Sequence, residues 1–306
     1  MIEGQVVNGT LDGAPLEGVP VTLWIFKGQE QEGSLVETTD GEGRFRFQDL
    51  DTEGYTYQLE VEYQSVRYGS GVLAFLQGEN ALSMALTVYE ATTSDTELRV
   101  ERAHLILDFE PEVILVQEVQ IFINGGDTTY VGSTGEEGGA TVHFCLPEGA
   151  SEVQLMEGLM ACCVVETETG FASNRPIFPG FEEFVFSYEL GYQSPTYTLF
   201  KEIAYSIRSL DVLVADVGAE VTAAGLTVKE PLSLEGGRYL HLAGQNLSPA
   251  DGLTLQLANL PPGTRPAAAP AAGPGVLEWV AIGVMTSAVL LALGYPFLKK
   301  RREENG

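Results

Sequence analysis

The chain has 306 residues, 43 of them acidic against 16 basic, and a formal net charge of −27. Such a surface repels nucleic acid and anionic headgroups, so recognition of either by charge is excluded, while basic proteins and cations are attracted. The three cysteines, Cys145, Cys162 and Cys163, are too few for a disulfide framework. One bridge from Cys145 to Cys162 or Cys163 fits them, and so do three free thiols; a bond between the two neighbours is strained.

Residues 1–91 alternate short apolar runs with glycine-rich turns. Asn8-Gly9 and Asp12-Gly13 are turn dipeptides. Residues 19–26 (VPVTLWIF) are β-branched and aromatic, the composition of a buried strand. After Asp40-Gly41-Glu42-Gly43, strict alternation puts Phe45 and Phe47 on one face, and Tyr57, Leu59, Val61 and Tyr63 alternate again against acids. Asp40 and Glu42 lie as close as calcium ligands do, but a calcium loop needs further oxygens at fixed spacing. The expectation is therefore a turn that Asp40 caps.

Four motifs in this order, G-x-V-x-N-G-T at 4–10, G-x-P-V at 18–21, T-D-x-x-G-x-F at 39–45 and Y-x-L-x-V at 57–61, resemble a carboxypeptidase regulatory-like domain. The resemblance covers about the first third of the chain. It implies a transthyretin-like β-sandwich and a non-catalytic module. It brings no peptidase activity, because His104, His143 and His241 are followed three residues on by Leu107, Leu146 and Gly244, so no H-x-x-E occurs.

A polar junction at 92–97 (TTSDTE) precedes a long series of short runs, at 98–109, 113–123, 128–131, 138–146, 153–156, 184–190, 197–200, 210–214, 221–222, 226–228, 239–243 and 253–257, with Val164, Val165 and Phe171 between the fifth and the sixth. Gly125-Gly126-Asp127 reads as a hairpin turn. Regular strand spacing without helical periods predicts a second β-rich region over 98–259, one large or two small sandwiches. The stretches G-D-x-T-Y-V-G from 126 and P-G-F-x-x-F-x-F-S-Y from 179 resemble juxtamembrane regions of bacterial single-span proteins. The fold class expected overall is all-β, tandem Ig-like or transthyretin-like sandwiches followed by one C-terminal transmembrane helix.

Residues 260–275 (LPPGTRPAAAPAAGPG) form a proline- and alanine-rich stalk. Residues 276–297 then carry a single charge, Glu278, with Trp279 and Tyr295 where interfacial aromatics belong. At 1.5 Å per residue a helix of this length crosses a hydrocarbon core of about 30 Å. The cations Lys299, Lys300, Arg301 and Arg302 place the tail, 298–306, in the cytoplasm and the body outside it. The first residues, MIEGQVVNGT, hold no basic and apolar leader pattern. A start further upstream, a mature form whose leader has been removed, and a tail-anchored chain facing the cytoplasm all fit this, and a missing leader is the expectation. The lipid bilayer, through 276–297, is thus an expected partner, and nucleic acid is not.

Candidate chemistry is sparse. His143 and Cys145 alternate on one run and point the same way, and Met156, Met160, Cys162 and Cys163 follow within about twenty residues. Imidazole, thiolate and thioether are soft-metal ligands, copper first among them. The plainer account is core packing for the sulfurs and an edge position for His143. His104 and His241 are expected as hydrogen-bonded strand residues. There is no P-loop, no G-x-G-x-x-G after a strand, no H-E-x-x-H and no C-x-x-C-H, so neither a catalytic residue nor a cofactor is expected. Tyr55, Tyr68 and Phe75 would offer an aromatic protein- or glycan-binding surface if exposed, and core if not. The function expected is a non-enzymatic binding or scaffolding protein of the cell envelope. An accessory subunit of a metal- or redox-related membrane complex stands second, and an enzyme with an unrecognised site third.

Overall fold

The computed structural model describes residues 1–132, 139–234 and 237–261. The predicted membrane helix, the basic tail and all of the stalk but its first two residues lie outside the described residues. Among the described residues the fold is all-β in several sheets, with one single-turn 3-10 helix, Ala161–Cys163, and no helix long and apolar enough to cross a membrane. The chain divides into two compact units. One comprises Met1–Glu97, Asn124–Val142 and Asn174–Gly180; the other comprises Leu98–Ile123, His143–Ser173 and Phe181–Gly306.

In the first unit, strand Ile2–Asn8 lies between Arg44–Phe47, antiparallel, and Leu82–Val88, parallel. A second sheet runs Glu30–Thr38, Pro20–Lys27, Tyr55–Tyr63, Val66–Gly69. Alternation sends one side of each strand inward, as in Arg44–Phe47, where Phe45 and Phe47 are buried and both arginines exposed. Ile2, Val6, Phe45, Phe47 and Val88 of the first sheet share one core with Val21, Leu23, Tyr57, Leu59 and Val61 of the second. Tyr68 and Phe75 belong to this core and not to an exposed aromatic surface, since Tyr68 is 5% exposed and Phe75 9%. Tyr68 donates to the Tyr89 carbonyl (2.8 Å), and Phe75 meets the Tyr57 ring edge-on. Strand Val66–Gly69, four residues after a tight turn, is too short to stand out in the sequence.

The turn at Asp40 is a cap. Its Oδ1 accepts from the backbone N–H groups of Glu42 and Arg44, both at 2.9 Å, and these bonds hold its carboxyl below the usual carboxylate range. Gly43 sits at φ +76°, where a Cβ would also come within 2.5 Å of the Val6 carbonyl oxygen.

Two later segments complete this unit. Thr129–Tyr130 pairs in parallel with Ala91–Thr92, so residues 125–127 do not close the expected hairpin. Asn124 explains the departure: its Nδ2 donates to the carbonyls of Thr128 (2.8 Å) and Ile177 (3.1 Å), while its Oδ1 accepts from Gly126 N–H. Tyr130 and Ile177 form a bridge with both backbone bonds made.

The second unit is built on an eight-stranded sheet. Its order is Ala150–Leu155, Gly180–Gly191, Val113–Asn124, Leu98–Glu110, Ile207–Ala215, Gly237–Leu247, Thr227–Val228, with Leu232–Leu234 also on Gly237–Leu247. The central pair Leu98–Glu110 and Ile207–Ala215 is parallel, which requires the long excursion between them. Two three-stranded sheets accompany it: Val142–Cys145, Gly170–Ser173, Val164–Thr167, and Tyr197–Lys201, Leu253–Ala258, Glu220–Ala223. Phe122, Phe184 and Phe186 of the large sheet meet Phe144 and Phe171 of the first small one at ring separations such as 5.3 Å (Phe144–Phe184) and 5.1 Å (Phe171–Phe186). These edge-on aromatic contacts add to the burial of large rings.

Candidate functional site

Strand Glu30–Thr38 of the first unit ends its sheet, bonded only to Pro20–Lys27 among the described strands. Eight of its nine residues are exposed, all but Gly33, including Leu35 and Val36. A long edge strand with apolar residues outside is a template for strand addition. Glu30, Glu32 and Glu37 on the same strand discourage pairing with acidic chains.

The second unit offers an open groove of about 560 Å³. Strand Tyr197–Lys201 alternates so that Leu199 and Lys201 are buried and Phe200 projects outward. Phe200, 54% exposed, lines the groove with Glu148, Glu168 and Glu202. An aromatic face rimmed by three carboxylates suits a ligand that joins positive charge to apolar surface.

The inward partner of Phe200 is more unusual. Lys201 Nζ lies 2.8 Å from Glu118 Oε1 and donates to the Cys145 carbonyl. Tyr188 donates to the same Oε1 (2.8 Å) and Gln120 Nε2 to Oε2 (2.9 Å). Glu118 is 2% exposed and Lys201 9%. The pair is closed by hydrogen bonds, as a buried ion pair must be to survive desolvation. Burial and the adjacent carboxylate push the Tyr188 hydroxyl well above its ordinary range, so it stays a donor.

His143 and Cys145 both line a cavity of about 30 Å³ beside Lys201, Gln120 and Tyr205. Its size suits one water. The expectation that these two residues share a face holds. The other soft-ligand candidates stand elsewhere: Met156 Sδ faces Gln117 Nε2 (3.9 Å), and Cys162 and Cys163 sit in the 3-10 turn. None of the three cysteines is in a disulfide. Among the described residues no group of three or more His, Cys, Asp or Glu could hold a metal ion.

A second polar cluster crosses the centre of the large sheet. Asp211 stands opposite His104 on the parallel neighbour and diagonal to His241 on the antiparallel one. His241 Nε2 is 2.7 Å from Asp211 Oδ1, a satisfied strand histidine as expected. His104 departs from the expectation: it is 1% exposed, 3.6 Å from Asp211 Oδ2, and neither ring nitrogen has a hydrogen-bond partner. Burial holds its pKa down at about 4, with Asp211 opposing and Arg102 and His241 adding to the depression. In the same sheet, Tyr239 donates to Asp108 Oδ1 (3.0 Å), whose carboxyl burial raises. No sequence signal marks these pairings, because they depend on the register of three strands far apart in the chain.

No protein-family model matches this chain, and no curated protein matches it either.

Proposed function

We propose that the chain is a membrane-anchored, extracytoplasmic and non-enzymatic protein of the cell envelope that binds or scaffolds other proteins through its β-sheets. In this reading residues 1–91 are a carboxypeptidase regulatory-like, transthyretin-like sandwich, 98–259 a second sandwich region, 260–275 a stalk, and 276–297 the bilayer span. The observation that carries it is the open edge strand Glu30–Thr38, which keeps Leu35 and Val36 in solvent. Two sheets around one core in the first unit support the sandwich assignment. The groove at Phe200 adds a site for a basic, partly apolar segment.

The test has two parts. Protease shaving of intact cells should degrade the body; full protection overturns the topology. Capture from mild detergent should recover a partner that Leu35→Lys/Val36→Lys loses, because edge lysines block strand addition. Stability should change by no more than about 0.5 kcal/mol, as for exposed positions generally. A partner retained undiminished by this variant removes the edge strand from the account.

An accessory subunit of a redox-related membrane complex is the second reading. It is favoured by the contact between the Cys162 and Cys163 sulfurs. Stoichiometric recovery of other membrane-spanning chains would support it over the first.

A further inference from the structure

Side chains of neighbouring residues point to opposite sides of a strand, so two adjacent cysteines in extended chain hold their sulfurs apart. Cys162 and Cys163 are not in extended chain. They end the 3-10 turn Ala161–Cys163, which Cys163 N–H closes onto the Met160 carbonyl (2.8 Å). The backbone is extended on both sides, with Met160 at φ −118°, ψ 131° and Val164 at φ −122°, ψ 136°. The turn is therefore a local departure inserted between extended residues, and its effect is to bring the two sulfurs to 2.9 Å without joining them. Cys162 is exposed and Cys163 half-buried. The third thiol, Cys145, has its own neighbour, Thr169 Oγ1 at 3.9 Å.

We propose that Cys162 and Cys163 form a thiol–disulfide exchange site that closes reversibly into a vicinal disulfide against a partner disulfide. Cys162 is the attacking thiol, because it is the one a partner can reach. It loses its proton to solvent, and its sulfur bonds to one sulfur of the partner. The partner's own S–S bond breaks, and the released sulfur takes up a proton. Cys163 loses its proton to solvent in turn and attacks Cys162 Sγ from contact distance. The vicinal S–S bond forms, the mixed disulfide breaks, and the partner's second sulfur leaves and is protonated. Two thiols of this chain are oxidised by two electrons and one partner disulfide is reduced to two thiols.

Adjacent Cα atoms are about 3.8 Å apart, below the roughly 4.4–6.8 Å of ordinary disulfides. Closure is thus strained by chain geometry, and strained exposed disulfides are the labile, exchanging ones. The pair suits transfer better than a permanent staple.

The experiment uses the full chain in mild detergent, reduced and then exposed in separate arms to glutathione disulfide and to an oxidised C-x-x-C oxidoreductase. Intact mass and peptide mapping after alkylation read the result. The expected outcome is loss of two hydrogens, a link mapped to 162–163, and reopening by reduced glutathione. Closure by glutathione disulfide assigns a small-molecule partner; closure by the oxidoreductase alone assigns a protein one. Cys163→Ser should stall as a mixed disulfide on Cys162, and Cys162→Ser should stay open; circular dichroism checks that both variants keep their strands. The proposal is overturned if both thiols stay fully alkylatable in both arms. A link that maps to Cys145, or a mixed disulfide that persists on Cys162 while Cys163 is present, overturns it equally.

Discussion

The two units bury sheet faces with different materials. The first has a core of aliphatic and aromatic residues, and among its described residues the buried polar side chains, Thr39, Asn124, Thr129 and Thr141, carry no charge. Thr39 donates to the Leu16 carbonyl, Thr129 bonds the Tyr68 hydroxyl and Thr141 donates to the Arg175 carbonyl. Among its described residues the second unit buries the side chains of His104, Glu118 and Lys201, an imidazole, a carboxylate and an ammonium. Glu118 and Lys201 satisfy each other, and His104 is held neutral. An uncharged interior responds weakly to pH and to loss of a single partner, whereas a charged one fails sharply when a partner goes. The units should therefore come apart under different stresses, and their unfolding can be followed separately. Trp24, in strand Pro20–Lys27, reports on the first. Hydrogen exchange in Leu98–Glu110 and Ile207–Ala215 reports on the second.

The strongest break in this comparison is Glu118→Leu. It strands the Lys201 ammonium in the core, which typically costs about 3–5 kcal/mol. Exchange protection in the second unit should collapse while the Trp24 transition holds its midpoint. Replacing both partners, Glu118→Leu with Lys201→Met, should restore most of the loss, since apolar pairs of similar volume substitute well for buried ion pairs. A double variant as weak as the single one would mean that Tyr188 and Gln120, left without their acceptor, matter more than the stranded charge.

Acid gives the next effect. His104 has a folded pKa of about 4, below its unfolded value of 6.5. The unfolded chain then binds the extra proton first, so stability is intact above pH 6.5 and is lost as pH falls from 6.5 to 4. Each pH unit across that window removes about 1.36 kcal/mol, so the full loss is about 3 kcal/mol. Asp108, with its carboxyl raised by burial, works in the opposite direction. The informative quantity is the stability of the wild type relative to His104→Leu, which should fall as pH drops across this window in the second unit and stay flat in the first. A difference independent of pH would mean that His104 takes up its proton without penalty.

Much of the strand inventory could be read in advance, because alternation is local: Phe45 and Phe47, or Phe184 and Phe186, reveal their shared face within four residues. The cap at Asp40 was legible for the same reason, since both of its bonds fall within four residues. Pairing was not. Thr129–Tyr130 looked like the return arm of a hairpin, and its partner is Ala91–Thr92, chosen by Asn124 and Ile177, which lie five and 48 residues from Thr129. His104 looked like one more strand histidine, and its isolation follows from Asp211 lying opposite it while His241 takes the better bond. Cys162 and Cys163 are unbridged, in keeping with the strain expected of a bond between neighbours, but the 3-10 turn that sets their sulfurs 2.9 Å apart has no mark in the composition. In each case the deciding contact lies in a register or a turn, and composition carries neither.

The smallest break falls in the first unit. Gly43 holds φ +76° in the turn before Arg44–Phe47, and a Cβ there would meet the Val6 carbonyl oxygen at 2.5 Å, backbone that cannot swing aside as a side chain could. Val6 N–H donates to the Gly43 carbonyl (2.8 Å), so the turn and strand Ile2–Asn8 are tied at this point. Gly43→Ala should combine left-handed strain with that clash and cost about 1–3 kcal/mol. The Trp24 midpoint should fall by this amount at every pH between 4 and 7, while exchange in the second unit does not move. Gly54, also at positive φ (+76°) but with open space around its Cβ position, supplies the control. Gly54→Ala should lose less than Gly43→Ala by the cost of the backbone clash alone, and equal losses would assign the whole effect to φ.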